Sequence, residues 1–445
     1  MTLAMRLFLL FWSALWTLGL PIVFAYLAWR ARRDPAYLAR FTERIGLYRQ
    51  PLSEVLWIHA VSLGELRSAV PLIQELLGRG GRVVTTHFTP AGRAEAQRVF
   101  GSEIALGQMQ AIWVPIETAW AFRAFFRAFR PTLGLVMEIE IWPRMVFAAK
   151  SAGVPLLMCN AQYPSDSLAR DSRGLRLRQQ VMRNFAGALV KSDLQAQRFR
   201  SVGVPNIVVT GELRFDQPVP AALVAAGQAA RIWIGASTRR VICIASAIEG
   251  EDPTYLHAIR ALRDHCMSHG AEMPLFVYVP RRPERFDEVA GYLRANGLSV
   301  LRRSELGSAF NPSSWGQTIC PDVFLGDSLG EMYGYLAMSD EVIVGGGFNP
   351  KGAHNISEAL ALGKPVVTGP FTHTIEYPFV EAENANVACS VADAEALANH
   401  IIAAGNLTAS DTQSRRKRIN DFMKSHSGST RRTLMALDKL HSRKS

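Results

Sequence analysis

Apolar runs of strand length alternate with stretches of helical spacing in the first half of the chain. From residue 55 onward these runs occupy 55–60, 82–86, 133–137, 154–159, 187–190 and 207–210. Alternation of this kind is typical of βαβ units, whose strands lie parallel in one sheet. The pattern therefore predicts an α/β domain with a doubly wound sheet.

The same alternation restarts in the second half of the chain. Residues 217–220 read Gln-Pro-Val-Pro and lead into an alanine-rich stretch that ends at Ala230. Apolar runs then follow at 241–245, 275–279, 299–301, 322–325, 341–344 and 365–368. A single core rarely grows past about 250 to 300 residues. We therefore predict two Rossmann-like domains, 34–220 and 221–405, with a ligand cleft between them.

The first 33 residues contain an unusually long apolar run, followed by basic residues. Residues 7–29 contain no charged side chain and are longer than the roughly 20 residues that a bilayer-spanning helix needs. Three arginines lie between positions 30 and 33, whereas Arg6 alone precedes the apolar run, so the positive-inside rule predicts an anchor with the remaining chain in the cytoplasm. A cleaved signal peptide fits less well, because no small-residue cleavage site follows. Pro21 leaves open whether the segment spans the bilayer or inserts shallowly.

The net charge of +11 is concentrated in residues 30–49 and in a basic tail, 406–445, which we predict to be helical. We expect both segments to lie near an anionic lipid surface. The basic runs lack interleaved aromatic residues and any nucleic-acid motif, so we expect no nucleic-acid partner. The five cysteines are odd in number and form no C-x-x-C pair, which favours a reducing compartment without disulfides or a zinc site.

A carboxylate follows the first strand of the predicted sheet. After the run 55–60 come Ser62, Leu63 and Gly64, and Glu65 stands where a helix begins. In open α/β sheets the ligand crevice lies at the carboxyl ends of the strands, so we expect Glu65 to face it. The alternative is that Glu65 is only a first-turn charge that stabilises the helix.

A second candidate site follows the apolar run 341–344. Gly345, Gly346 and Gly347 come next, and a helix is predicted to begin near His354 or Asn355. Backbone N–H groups of glycines and the positive end of a helix favour a bound phosphate, although three glycines are by themselves a weak signal. Glu358, one turn further on, is a candidate for binding ribose hydroxyls or is a first-turn helix charge.

Charged residues also follow two other strands. Arg281 is the best candidate for a bidentate grip on phosphate or carboxylate, whereas we expect Arg285 to pair with local acids. Glu138 and Glu140 face one side if the chain there is extended, before a helix that begins at Pro143. The chain has no D-x-D motif and no histidine at metal spacing, so we expect neither a metal nor a cofactor.

Together these motifs resemble the 3-deoxy-D-manno-oct-2-ulosonic acid (Kdo) transferases, which are membrane-anchored glycosyltransferases of GT-B fold. The resemblance covers nearly the whole chain. Besides the N-terminal anchor it rests on seven segments: His59–Glu65, Thr89–Gly92, Met137–Pro143, Gly211–Asp216, Val279–Phe286, Gly326–Glu331 and Gly345–Glu358.

The resemblance implies inverting, metal-independent transfer of Kdo from CMP-Kdo to a lipid A precursor, lipid IVA, at the cytoplasmic face of the bacterial inner membrane. It makes Glu65 the general base, which we expect to act near its unperturbed pKa. On the acceptor side it implies supporting roles for Ser62, Gly64, Glu138 and Glu140. On the donor side it implies Arg281, Arg282, Gly345, Gly346, Gly347, His354, Asn355, Glu358, Ser246 and Glu249.

Several positions depart from the family pattern. The family usually has Ser-Thr-His-Glu-Gly-Glu where this chain has Ser-Ala-Ile-Glu-Gly-Glu at 246–251, so a hydroxyl and an imidazole are missing. The other departures are Gln162, Arg282, Ala353 and Thr374. They leave open a transferase that uses a related ulosonic acid or a UDP-sugar, and a non-catalytic membrane-bound paralogue. The sequence does not mark how many Kdo residues are transferred.

Overall fold

The computed structural model describes residues 3–442, which form two compact units. The first unit is Met1–Gln217 with Ser427–Ser445, and the second is Pro218–His426. Each contains a seven-stranded sheet in which every pair of neighbouring strands is parallel. This confirms the predicted pair of doubly wound α/β domains.

The sheet of the first unit has the strand order β3-β2-β1-β4-β5-β6-β7. Its strands are β1 Leu56–His59, β2 Val83–His87, β3 Met109–Trp113, β4 Leu133–Met137, β5 Leu156–Ala161, β6 Gly187–Val190 and β7 Ile207–Val209. The helices that accompany it are α1 Leu3–Ala31, α2 Leu63–Gly78, α3 Pro90–Val99, α4 Gly101–Ala105, α5 Ala119–Phe129, α6 Pro143–Ser151, α7 Ser165–Asp171, α8 Leu177–Met182 and α9 Asp193–Ser201.

The sheet of the second unit has the order β10-β11-β9-β8-β12-β13-β14. Its strands are β8 Val241–Ala247, β9 Leu275–Pro280, β10 Val300–Arg302, β11 Val323–Leu325, β12 Glu341–Val344, β13 Val366–Thr368 and β14 Ala388–Ser390. Its helices are α10 Ala221–Trp233, α11 Asp252–His269, α12 Phe286–Ala295, α13 Met332–Met338, α14 Ser357–Ala361, α15 Glu376–Asn384, α16 Ala394–Gly405 and α17 Ala409–His426.

Alternating side chains of the central strands fill the core on both faces of each sheet. In β1, Trp57 packs with Phe125 and Phe129 on one face, while the next residue, Ile58, packs with Leu72 on the other. A sheet covered on both faces needs such continuous apolar runs, which is why the sequence pattern identified twelve of the fourteen strands. The edge strands β3 and β14 were missed. The run of β3 is interrupted by Gln110, and β14 reads Ala-Cys-Ser, which lacks a large apolar residue.

The predicted single tail, 406–445, is divided between the units. Helix α17 belongs to the second unit, and the last helix, α18 Ser429–Ser442, returns to the first. There Leu434 and Leu437 join the core on one face of the first sheet. The tail was predicted as one segment from its charge, whereas apolar residues in α18 decide where it packs.

Helix α1 carries the predicted anchor. Within residues 3–442 it alone is long and apolar enough to cross a bilayer, a composition that signal sequences near an N-terminus share. Not all of the basic segment 30–49 is available to lipid, because Arg44 is buried and its guanidinium stacks 3.9 Å from the ring centre of Trp113. The expectation that this whole segment faces lipid is therefore wrong at Arg44.

Candidate functional site

Strand order reverses between two central strands of each sheet, and several of the predicted site residues lie there. In the first unit the reversal is between β1 and β4, which are followed by Glu65 and Glu138 respectively. In the second unit it is between β8 and β12, which are followed by Glu249 and Gly345. Such switch points are where open α/β sheets bind ligands.

Glu65 is held by the loop that leads into α2. Ser62 caps the helix, since its Oγ accepts the N–H of Glu65 at 3.3 Å. In return the Glu65 carboxylate accepts the Ser62 hydroxyl at 2.9 Å and the N–H of Val61 at 2.8 Å. Glu65 and the N-cap Ser62 thus bond to each other, so Glu65 does stabilise the helix start, as the alternative interpretation required. Each carboxylate oxygen still has a second lone pair for another donor.

The protein also tunes the acidity of Glu65, which is only 8% exposed. Burial raises the pKa of its carboxyl group to about 7, with a further increase from the charges of Glu138 and Glu140. The bonds from Val61 and Ser62 oppose that shift. The expectation of an unperturbed pKa is therefore wrong. A pKa near neutrality suits a general base, because it balances the ionised fraction against proton affinity.

Glu138 and Glu140 do not share one extended face. Strand β4 ends at Met137, and Glu138 adopts a left-handed backbone with φ of +56°. The turn directs Glu138 to Arg214 at 3.4 Å, while Glu140 accepts the indole N–H of Trp142 at 2.8 Å. Helix α6 begins at Pro143 as predicted. Among residues 3–442 no group of three or more His, Cys, Asp or Glu side chains is arranged to hold a metal ion.

A buried ionic network beside these carboxylates was not predicted. Lys191 lies 2.7 Å from Glu212 and 3.8 Å from Glu138, and its side chain is almost fully buried. Asn160 donates to Glu212 at 2.8 Å and accepts the N–H of Leu213 at 3.0 Å. Arg214 and Lys191 thus place two cations next to Glu138.

Gly64 leaves open space next to Glu65, at the start of α2. A β-carbon there would lie 3.8 Å from the Arg214 guanidinium, an ordinary contact, so packing does not require glycine at this position. Gly64 is exposed beside Glu65, which leaves room for a ligand.

In the second unit the loop 345–347, here called the glycine loop, binds a carboxylate of the protein itself. Glu251 is fully buried, and both of its oxygens accept the N–H of Gly346 at 2.8 Å. Glu251 also accepts the N–H groups of Phe348 and Ile248 at 3.0 Å each. The N–H of Gly345 bonds to Ala245 in the sheet. The prediction that these glycine N–H groups form a phosphate cradle is therefore wrong for Gly345 and Gly346, whose N–H groups are taken by Ala245 and Glu251.

The three glycines instead permit close packing of backbone. A β-carbon on Gly345, Gly346 or Gly347 would collide with Ser246, with Gly352 or with Thr368 and Gly369 respectively. Gly346 also has φ of +88°, a left-handed conformation that favours glycine.

Arg281 and His354 are the groups best placed to meet a ligand here. Arg281 is exposed just beyond β9, and its N–H bonds to Ala247 at 2.9 Å. The ring Nε2 of His354 is buried and has no hydrogen-bond partner among the described residues. Burial and the charge of Arg281 lower the pKa of His354 to about 4, so its imidazole is neutral at pH 7. A buried ring nitrogen without a partner is consistent with a site that a ligand completes.

The remaining predicted donor residues surround the same strand ends. Ser246 sits at a register shift between β8 and β9 with φ of +62°, while Arg282 and Glu249 are exposed. Helix α14 begins at Ser357, not near His354 or Asn355, because the Asn355 side chain accepts the Ser357 N–H at 3.0 Å and holds the chain outside the helix. Glu358 lies in the first turn of α14, the position that the alternative interpretation gave it.

Comparison with known proteins decides the family. The model of a family described as 3-deoxy-D-manno-octulosonic-acid transferase (kdotransferase) matches residues 39–217. The 3-deoxy-D-manno-octulosonic acid transferase of Bordetella pertussis is 37% identical over 425 residues, which cover 94% of this chain and 96% of that protein. The chain belongs to the Kdo transferase family. The Haemophilus influenzae transferase is 28% identical and is matched over 88% of its length.

Solved structures show that this Kdo transferase has the GT-B fold. Neisseria meningitidis UDP-GlcNAc 2-epimerase has a TM-score of 0.56 at 14% identity, with 87% of this chain and all of that chain covered. Anabaena HepE has a TM-score of 0.55 at 12% identity over the same shares. At such low identity the likeness concerns the fold alone.

Two departures of this Kdo transferase from the family pattern contact each other. The hydroxyl of Thr374 donates to the carbonyl of Ala353 at 2.6 Å. Thr374 also packs against Gly352, where a β-carbon would collide with it. The two changes are therefore part of one local packing arrangement next to His354.

The expectation for Arg285 is confirmed. It forms an ion pair with Asp252, and the same carboxylate accepts the Tyr278 hydroxyl at 2.5 Å. Arg285 therefore helps to fix the start of α11 behind the candidate donor site.

Proposed function

We propose that the protein transfers Kdo from CMP-Kdo to a lipid A precursor, with inversion, without a metal, and with Glu65 as general base. The observation that carries this proposal is the placement of Glu65, whose carboxylate is buried at the switch point of the first sheet and held by Val61 and Ser62. Burial there raises its pKa to about 7, which suits a base. Membership of the Kdo transferase family supports the sugar that is transferred.

The chemistry is a single displacement. A hydroxyl group of the acceptor sugar gives its proton to a Glu65 oxygen while its own oxygen bonds to the anomeric carbon of Kdo. The bond from that carbon to the phosphate oxygen breaks, and its electron pair leaves with CMP. Attack from the face opposite the leaving group inverts the anomeric centre.

We assign the donor phosphate to Arg281 and His354, because Glu251 occupies the N–H groups of Gly346 and Phe348. Arg281 offers a planar cation for a phosphate or for the carboxylate of Kdo. Neutral His354 can donate one hydrogen bond from its unpartnered ring nitrogen. Fixed donors of this kind stabilise the negative charge that develops on departing CMP. The roles of Asn355, Glu358, Ser246 and Glu249 stay predictions.

On the acceptor side we assign binding of sugar hydroxyls to Glu138 and Glu140. Arg214 and Lys191 offset the charge of Glu138, so that three carboxylates can lie close together at neutral pH. We also propose that α1 anchors the protein in the inner membrane, with both units in the cytoplasm and near anionic lipid. The length of its apolar segment supports this placement.

A different nucleotide sugar is the second candidate, because Ala353 and Thr374 alter the surroundings of His354. Thermal-shift measurements with CMP, UDP and GDP separate the two. Stabilisation by CMP alone supports the first proposal, and stabilisation by UDP without CMP contradicts it.

The proposed activity is tested with purified full-length protein, CMP-Kdo and lipid IVA. Mass spectrometry of the product reports donor, acceptor and the number of sugars transferred. A product heavier by one or more Kdo residues supports the proposal. No product in detergent and in lipid vesicles, from protein that CMP stabilises, contradicts it.

A further inference from the structure

An arginine-rich groove runs between helices α5 and α6 of the first unit. It encloses about 650 Å³ and is lined by Arg123, Arg127, Arg130 and Arg144, with Phe126 and Phe147 among its apolar residues. It has no acidic lining residue among the described residues. Neither the sequence motifs nor the proposed transfer reaction uses this groove.

Three of its four cations have no protein partner. Within residues 3–442 the side chains of Arg123, Arg127 and Arg130 make no ion pair or hydrogen bond, and all three are exposed. Their spacing of four and then three residues puts them on one side of α5. Arg127 and Arg130 lie at the end of α5, where the negative end of the helix dipole stabilises a positive charge, so helix stability is one reason for these two arginines. The helix dipole gives no such reason for Arg123, because Arg123 lies more than one turn before the end of α5.

The fourth arginine connects the groove to α1. The Arg144 guanidinium donates to the carbonyl of Leu9 and to the hydroxyl of Ser13. Leu9 itself lines the groove, and the next residues of α1, Leu10 and Phe11, are exposed. Leu9 and Ser13 lie near the N-terminal end of α1, so these contacts fit a helix that inserts shallowly along the membrane surface and not one that spans it. The groove thus has a cationic side next to a helix that we propose lies in the membrane interface.

An exposed tryptophan lies beside the same cations. Trp120 is the second residue of α5, three positions before Arg123, and it is 44% exposed. Tryptophan is enriched at the level of lipid headgroups because its ring is amphipathic. A cationic side, an apolar floor and a neighbouring tryptophan together fit an amphiphile that carries a phosphate.

The groove reaches the edge of the sheet that is opposite to Glu65. Arg130 lies three residues before the start of β4, and Ala152, which also lines the groove, lies four residues before β5. Both residues are therefore near the amino ends of the strands, whereas Glu65 follows the carboxyl end of β1. The ligand of this groove is thus separate from the reacting sugar.

We propose that the α5–α6 groove binds the phosphate headgroup of an anionic membrane phospholipid, with an acyl chain against Phe126 and Phe147. This inference rests on the proposed membrane association of α1. The guanidinium groups of the arginines donate charge-assisted hydrogen bonds to the phosphate oxygens. The bound lipid then orients the first unit on the membrane surface.

The test uses native mass spectrometry of the full-length protein in a neutral detergent with added phosphatidylglycerol or phosphatidylcholine. We expect the unmodified protein to retain more phosphatidylglycerol than phosphatidylcholine. Combining Arg123→Gln, Arg127→Gln and Arg130→Gln should weaken that retention roughly tenfold or more. A matched variant with Arg173→Gln, Arg200→Gln and Arg431→Gln removes the same charge from other exposed sites of the first unit and should retain the lipid.

Three results would overturn the inference: no preference for phosphatidylglycerol in the unmodified protein, equal retention by both triple variants, or displacement of the lipid by millimolar inorganic phosphate. The last result would show a site for free phosphate. Kdo transfer to a detergent-soluble acceptor is measured in the same samples. Failure of transfer with lipid retention intact would contradict the proposed function and leave the groove assignment standing.

Discussion

Glu251 accepts the backbone N–H of Gly346 with both carboxylate oxygens, each at 2.8 Å. The two residues are far apart in sequence, yet this contact joins the loop after β8 to the loop after β12. A buried carboxylate with several N–H donors can replace a bound anion. The glycine loop is therefore already formed before any nucleotide sugar binds.

We predict that Glu251→Ala destabilises the second unit. The change leaves the N–H groups of Gly346, Phe348 and Ile248 without their acceptor, and each unsatisfied buried donor costs about 1 to 3 kcal/mol. Urea unfolding should show a loss of about 3 kcal/mol or more, and CMP binding measured by calorimetry should weaken as the loop loosens. The matched change Glu249→Ala on the exposed part of the same loop should alter stability by less than about 0.5 kcal/mol. Equal stability of the two variants would contradict the anion role of Glu251.

The pH dependence of transfer should report Glu65. The base acts only when it is ionised, so kcat/KM should rise with pH through about 7 and level off above that value. Glu138→Gln removes a neighbouring negative charge that raises the pKa of Glu65, so the rising limb should move to lower pH. Steady-state rates between pH 5 and 9 provide the measurement. An unchanged limb in Glu138→Gln would contradict the coupling of the two carboxylates.

His354 should contribute to donor binding and little to folding. Its ring Nε2 has no partner among residues 3–442, so His354→Phe removes no hydrogen bond of that nitrogen within the protein. We expect the KM for CMP-Kdo to rise about tenfold, with unfolding nearly unchanged, since one hydrogen bond to a charged group is worth about 1.5 to 3 kcal/mol. The control is His257→Phe at an exposed position of α11.

The pKa of His354, about 4, predicts how donor affinity depends on pH. The imidazole stays neutral between pH 5 and 8, so His354 should introduce no change in donor affinity over that range. A loss of CMP affinity that follows a titration near pH 6 and disappears in His354→Phe would contradict a neutral imidazole in the site.

Asp216 should hold α18 to the first unit. Its carboxylate accepts the N–H of Gly428 at 2.6 Å and that of Thr430 at 2.5 Å. Asp216→Ala should therefore lower the free energy of unfolding by about 2 kcal/mol and make trypsin cleave faster after Arg431. Asp438→Ala is the control, because the Asp438 pair with Arg79 is exposed and worth little. Cleavage at the same rate in both variants would contradict the role of Asp216.

The sequence predicted features that depend on neighbouring residues or on regular periodicity. Buried strands gave continuous apolar runs, and Glu65 was placed correctly at the start of a helix. The strand ends that precede Glu65 and Glu138 were also located correctly, because each follows a continuous apolar run.

Contacts between distant residues could not be predicted in this way. Nothing near Gly346 indicates that Glu251 will fill its loop, and nothing near Glu138 indicates that Lys191 is buried beside it. The pKa of Glu65 was misjudged for the same reason, since its main cause is burial by the folded unit. The start of α14 was misplaced because the side chain of Asn355, an irregular local contact, holds the chain outside the helix.

The central claim is that Glu65 removes the proton from the acceptor hydroxyl. Its most direct test compares single-turnover Kdo transfer at pH 8.5 in Glu65→Gln, Ser62→Ala and the unmodified protein. Glutamine keeps an acceptor for the Val61 N–H but cannot take a proton, so Glu65→Gln should be slower by about 10² to 10⁴-fold. Ser62→Ala loses the helix cap and about 1 kcal/mol of stability, yet it keeps the base and should retain most of the rate. A Glu65→Gln rate within a few-fold of the unmodified protein would contradict the account.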